Sequence, residues 1–179
     1  MRERTIARNY AEALFEAGER AGQTERYADL VEALAGAIRS DDHIRQVLDS
    51  PRVPKPTKEK ILARALAGHA PEQFIKFLAA VVKRGRQGIM VAISEEYLGL
   101  VDAKFNRIHA GVLLAREPDA AFQQVIKRKL SEAFGKEVIA HYRADPEILG
   151  GLIVRIGDRI MDGSVRRRMV SLRRQLLGS

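Results

Sequence analysis

The sequence contains no cysteine. A disulfide framework, a thiolate metal site and a thiol nucleophile are therefore excluded, and the composition fits a reducing compartment. Long apolar runs are also missing. The longest of note, FLAAVV, falls far short of the roughly 20 residues that span a bilayer, so any membrane association has to be indirect or peripheral. Aromatic residues make up only 6% of the chain. None are interleaved with the basic clusters Lys127 to Lys129 or Lys83 to Arg86, as they are in surfaces that stack on bases. The basic, amphipathic start MRERTIARNYAEALFEAGER is not short of acids: Glu3, Glu12, Glu16 and Glu19 argue against a transit peptide.

What the chain does have is apolar mass and positive charge. With 179 residues and 46% hydrophobic content it can build one medium domain or two small ones, each with a core. The formal net charge is +8, and it is uneven. Up to Phe105 there are 17 Lys and Arg against 15 Asp and Glu; beyond it there are 14 against 8. A basic partner surface therefore belongs to the C-terminal part, where it suits nucleic acid, anionic lipid or an acidic protein.

The hydrophobic period changes near the same point. From Thr5 to Phe105 the apolar residues recur at helical spacing. Ile6, Tyr10, Ala13, Leu14 and Ala17 form a first stripe; Tyr27, Leu30, Val31, Leu34 and Ile38 form a second after a break at Gly22. Asp41 or Asp42 can cap a short third helix with Ile44, Val47 and Leu48. A fourth begins at Thr57, a fifth has Pro71 in its first turn and Phe74, Phe77, Leu78, Val81 and Val82 on one face, and a sixth runs from Ile89 to Phe105. Beyond Arg107, GVLLA and EVIAHY suit strands, separated by a helix that Asp119 caps and Gly135 closes. LIVRI is a third strand, and Gly157-Asp158 is a two-residue hairpin loop with glycine at the first central position, as a type II′ turn needs. Ser164 is an N-cap for a last helix, in which Val165, Met169, Leu172 and Leu176 share a face. These elements predict a mainly α protein, with an N-terminal six-helix bundle over residues 1–105 followed by a small α+β domain over 106–179.

No catalytic constellation is assembled. Gly150, Gly151, Gly157 and Gly163 match neither a dinucleotide fingerprint nor a P-loop, and turns account for each. His43, His69, His109 and His141 stand far apart and none has a metal-ligand spacing such as H-E-x-x-H. Asp158 and Asp162 are explained by turn formation and capping, Ser164 by capping. Arg166, Arg167 and Arg168 sit where a helix macrodipole disfavours positive charge, so helix stability does not explain them. Arg173 and Arg174 repeat the pattern two turns on. Small residues stand beside large ones on helices one and five, at Ala7, Ala11, Ala13, Ala17, Ala79 and Ala80. That pattern suits either close bundle packing or a groove for a partner's amphipathic helix.

ARNYAEALFEAG near the start and GGLIVRIGDRIMDGSVRRRM near the end resemble the two ends of the delta subunit family of bacterial proton-translocating ATP synthases, the counterparts of the mitochondrial oligomycin-sensitivity-conferring protein. The likeness covers essentially the whole chain. It implies a non-catalytic connector, without cofactor or metal and present once per complex, on the cytoplasmic face of the bacterial plasma membrane. By the same resemblance, the bundle would take an N-terminal helix of the alpha subunits in a groove between helices one and five. Tyr10, Ala11, Ala13 and Leu14 would line it, with Lys76 and Ala80 opposite. The C-terminal domain would hold the end of the b-subunit stalk, with Arg166 and Arg173 as contacts. Arg167 and Arg168 exceed what the motif requires and take no role from it. The net charge leaves one other class open, an RNA-binding helical protein, whose binding would fall steeply with salt.

Overall fold

The computed structural model describes residues 2–177, with side chains described for residues 3–175. The described chain is mainly helical with one four-stranded sheet, and it divides into two compact units, Met1–Lys104 and Phe105–Ser179.

The first unit contains α1 (Arg2–Arg20), α2 (Thr24–Ser40), α3 (Asp42–Asp49), α4 (Lys55–Leu66), α5 (Glu72–Lys83) and α6 (Met90–Lys104), the last preceded by a 3₁₀ turn at Gln87–Ile89. Helix α6 packs along α1 and α2, and α4 packs along α5. Its centre is formed by Leu14, Tyr27, Phe74, Val81, Val82, Met90 and Tyr97, all almost fully buried. Two buried hydroxyls in this core are paired, as the cost of an unmade hydrogen bond favours. The Tyr97 hydroxyl donates to the Thr24 carbonyl at 3.0 Å, and the Ser94 hydroxyl reaches the Val31 carbonyl at 2.9 Å. Burial pushes the Tyr97 phenol well above its ordinary range, so it stays a neutral donor.

Three helix starts show how local chemistry sets boundaries. Of the two aspartates, Asp41 is the cap, accepting from the His43 N–H at 2.8 Å. Helix α4 starts two residues before Thr57, at Lys55, because Pro56 falls at an early position whose N–H has no helical partner to lose. Pro71 is the residue before α5 and not within its first turn.

The second unit is built from β1 (Arg107–Leu114), α7 (Ala120–Phe134), β2 (Glu137–Ala144), β3 (Leu152–Ile156), β4 (Arg159–Asp162) and α8 (Val165–Leu177). The strand order is β2-β1-β3-β4. Strands β1 and β2 are parallel, joined through α7, while β3 runs antiparallel to both β1 and β4. Strand β1 begins at Arg107, well before GVLLA, because its whole length pairs with β2 from Arg107↔Glu137 onward. Ala110, Val112, Leu114, Val138 and Val154 from the sheet meet Ile126 of α7 in the core. Asp119 caps α7 through the Phe122 N–H at 2.7 Å, and Gly135 closes it at φ 62°. In the β3-β4 turn Gly157 has φ 55°, and Asp158 is not among the positive-φ residues, as a type II′ turn requires.

Candidate functional site

Helices α1 and α5 are neighbours in the first unit, in contact through Tyr10 and Phe77, whose rings meet edge-on with centroids 6.3 Å apart. Both rings are half-buried, and the neighbouring Ala13 on α1 and Ala80 on α5 are exposed. A half-buried aromatic pair flanked by methyl groups is an apolar floor that a helix backbone can approach closely. Lys76 is exposed and paired with Glu72 at 2.7 Å, one turn earlier on the same helix. The Lys76 ammonium hydrogen-bonds the Glu72 carboxylate and holds it below the usual carboxylate range.

Two of the residues expected to line a groove between α1 and α5 do not reach the surface. Ala11 and Leu14 are 0% and 1% exposed and point into the core, so they support the floor from beneath. The reason is helical phase. Ala7, Ala11 and Leu14 form the inward stripe of α1, and Tyr10 and Ala13 lie one residue earlier on the adjoining face.

An apolar groove in this unit, with a cavity of about 410 Å³, lies between α2, α3 and α4. Leu30, Leu34, Ile44, Val47, Ile61 and Ala65 line it. Their helical spacing was legible in the sequence, but as packing stripes and not as the walls of an open space.

In the second unit the terminal motif forms a joint. Val165 and Gly163 donate their N–H groups to the carbonyls of Gly150 and Leu152, both at 3.0 Å, fixing the start of α8 to the start of β3. Ser164 is buried and caps α8 by accepting the Arg167 N–H at 3.2 Å. Its hydroxyl and its backbone N–H, the latter at 2.9 Å, also serve the Asp162 carboxylate. Those two hydrogen bonds, hydroxyl first, lower the Asp162 pKa, with a further contribution from Arg167. A depressed pKa means the folded state favours the ionised form. The stability Asp162 gives the joint is therefore complete above the ordinary aspartate value of about 3.8, and is lost as the pH falls through its lower folded value. Protection of the Val165 to Arg168 amides, taken as exchange relative to the intrinsic rate at each pH, should fall in that window; Asp162→Asn should remove the dependence.

Arg166 and Arg173 are exposed on α8. The sheet also brings together two of the histidines: His109 and His141 stack with their ring nitrogens 2.9 Å apart. The parallel register sets Gly111 beside His141, an arrangement no local spacing reveals. Among the described residues, no group of three or more His, Cys, Asp or Glu is placed to hold a metal.

The sequence profile of the ATP synthase delta (OSCP) subunit matches residues 6–176. The chain belongs to this family. ATP synthase subunit delta of Gemmatimonas aurantiaca is 41% identical over 98% of this chain and 95% of its own. The same subunit of Desulforudis audaxviator is 34% identical over 94% and 92%. A chain of the Toxoplasma gondii mitochondrial ATP synthase hexamer shares the fold with a TM-score of 0.67, covering 96% of this chain and 97% of its own at 24% identity. As a delta (OSCP) subunit the protein is a non-catalytic, structural stator component of ATP synthase. The RNA-binding alternative finds no support in these relatives. Among the described residues no helix is long and apolar enough to cross a membrane, and the subunit is a peripheral part of its complex.

Proposed function

We propose that the first unit, working as a six-helix bundle, grips the catalytic head while the second grips the peripheral stalk, so that the head stays still as the rotor turns and rotation is coupled to ATP synthesis. The groove between α1 and α5 takes an amphipathic helix from the N-terminus of an alpha subunit. The second unit takes the C-terminal end of the b subunits, and one copy of the chain serves each complex at the cytoplasmic face of the bacterial plasma membrane. The observation that carries the head contact is the pairing of exposed Ala13 and Ala80 with the half-buried Tyr10 and Phe77 rings. Small groups permit close approach, and the aromatic surface contributes at roughly 25 cal/mol per Å² of apolar area removed from water. Charge steers orientation and association more than it adds affinity.

The test is calorimetric titration of the full chain with a peptide of the alpha subunit's N-terminal segment at low and high salt. Saturable binding at the groove that changes little with salt supports the reading. Absence of binding by the folded protein removes the groove assignment, and a steep loss with salt would shift the contact to the charged surface.

A further inference from the structure

Gly111 stands in the middle of β1, where glycine weakens a strand, and nothing in the described chain requires it. Its φ is not positive, and an added Cβ would meet only the Arg155 carbonyl oxygen at 3.9 Å and the Arg155 Cβ at 4.0 Å, ordinary contact distances. A strand glycine without a local cause marks a place where a ligand or another backbone comes close.

The pleat settles which face is concerned. Ala110, Val112 and Leu114 lie on the side that packs against α7, so Gly111 belongs to the opposite face. There the register sets His141 of β2 on one side of Gly111 and Arg155 of β3 on the other. The two flanking strands stand about 10 Å apart, twice the strand spacing, so long side chains from both can reach a group seated over the glycine. Arg143, two residues beyond His141, shares this face. Leu113, Ile153 and Ile160 border the depression, whose volume is about 630 Å³.

Charge indicates the occupant. Arg143 and Arg155 are exposed, and neither has a carboxylate partner among the described residues. The strand carboxylates of this face, Glu137 and Asp162, are engaged by Arg107 and Ser164. When His141 accepts from His109 through Nε2, its Nδ1 carries the proton and adds a third donor. Donors on both sides of one glycine suit a phosphate, whose oxygens accept from several directions, better than a planar carboxylate; arginine forks match it well. The apolar border suits an organic body attached to that phosphate.

We propose that the open face of the sheet at Gly111 binds an organic phosphate. Its phosphoryl group sits over the glycine between Arg143, Arg155 and His141, and its apolar part lies against Leu113, Ile153 and Ile160. The proposal does not rest on the head or stalk contacts.

Two soluble probes separate the sources of such a phosphate: ADP, and dihexanoyl phosphatidate kept below its micelle concentration. Each is titrated into the full chain and followed by amide chemical shifts. Shifts should centre on Gly111, His141, Arg143 and Arg155, and one probe should bind at least about tenfold more tightly than inorganic phosphate. The tighter probe tells whether the source is a nucleotide or a lipid headgroup. Arg143→Gln and Arg155→Gln should each weaken it about tenfold or more, the loss expected for a charge-assisted hydrogen bond. Gly111→Val keeps every charge, suits a strand and fills the space over the backbone, so it should abolish binding; Gly111→Ala, with a single methyl, should weaken it less. All four variants should keep the wild-type circular dichroism. Binding that falls in the arginine variants but not in the Gly111 variants would reduce the site to general attraction by a basic surface and overturn the proposal. Absence of shifts with both probes at millimolar concentration would overturn it too, and so would affinities equal to that of inorganic phosphate. Slowed exchange at Gly111 on adding a soluble b-subunit segment, with no response to either probe, would give this face to a partner chain instead.

Discussion

Gly151→Ala is expected to destabilise the second unit by about 2–5 kcal/mol and to release the start of α8. Gly151 has φ 81°, and an added Cβ would lie 2.5 Å from the Gly163 carbonyl oxygen and 3.0 Å from the Ser164 Cα. Both atoms belong to backbone that is itself hydrogen-bonded to β3 and to the start of α8, so neither can swing aside as a side chain would. Relief requires separating the strand from the helix joint, and with it the bonds that place Ser164 as the cap. Gly157→Ala is the internal comparison. Its φ is 55° but nothing lies within 4 Å of the added carbon, so only the backbone preference is lost, about 1–2 kcal/mol. Because the chain forms two compact units, unfolding is best followed by residue-resolved hydrogen exchange in denaturant, which separates their transitions. Equal effects from the two substitutions would mean that the joint yields easily and that the glycine pair does not fix α8.

This joint also shows what the sequence made legible. The glycines and aspartates of GGLIVRIGDRIMDGSV announced turns and a cap through local chemistry, and the structure has a hairpin at Gly157 and a cap at Ser164; Gly151 also makes a close crossing against Gly163 and Ser164. The crossing itself joins residues twelve apart along the chain, and no local rule indicates which glycine carries it. The same limit applies to His109 and His141, brought together only by the register of parallel strands. In α1 the apolar stripe was clear, but alanine has no polar end to signal direction. Ala11 and Ala13 look alike in sequence although one is buried and the other exposed. The amphipathic pattern of α8 was equally clear, and amphipathicity ordinarily predicts burial against the same chain. Among the described residues of α8, Val165, Met169 and Leu172 instead stay 41%, 60% and 57% exposed.

Ala13→Asp is expected to weaken binding of the alpha-subunit N-terminal peptide at least about a hundredfold, a loss of about 2.7 kcal/mol or more. Under the proposed reading the position lies beneath the apolar side of the bound helix, beside Tyr10. A carboxylate there would lose its water on binding and gain no donor, and an unpaired charge removed from water costs several kcal/mol, enough to account for the loss. The free protein tolerates the change well, because Ala13 is exposed and the helix-propensity cost of Asp is about 0.6 kcal/mol. Ala80→Asp on α5 should act similarly from the other wall. Lys76→Ala is the contrast: the ammonium is exposed and already engaged by Glu72, so its removal should change affinity by no more than about threefold. Titration of the three variants alongside wild type reads out the ranking. A hundredfold loss from Lys76→Ala with little effect from Ala13→Asp would transfer the head contact from the apolar groove to the outer, charged face of α5. The first unit would then hold the head by charge, and its grip would weaken as ionic strength rises.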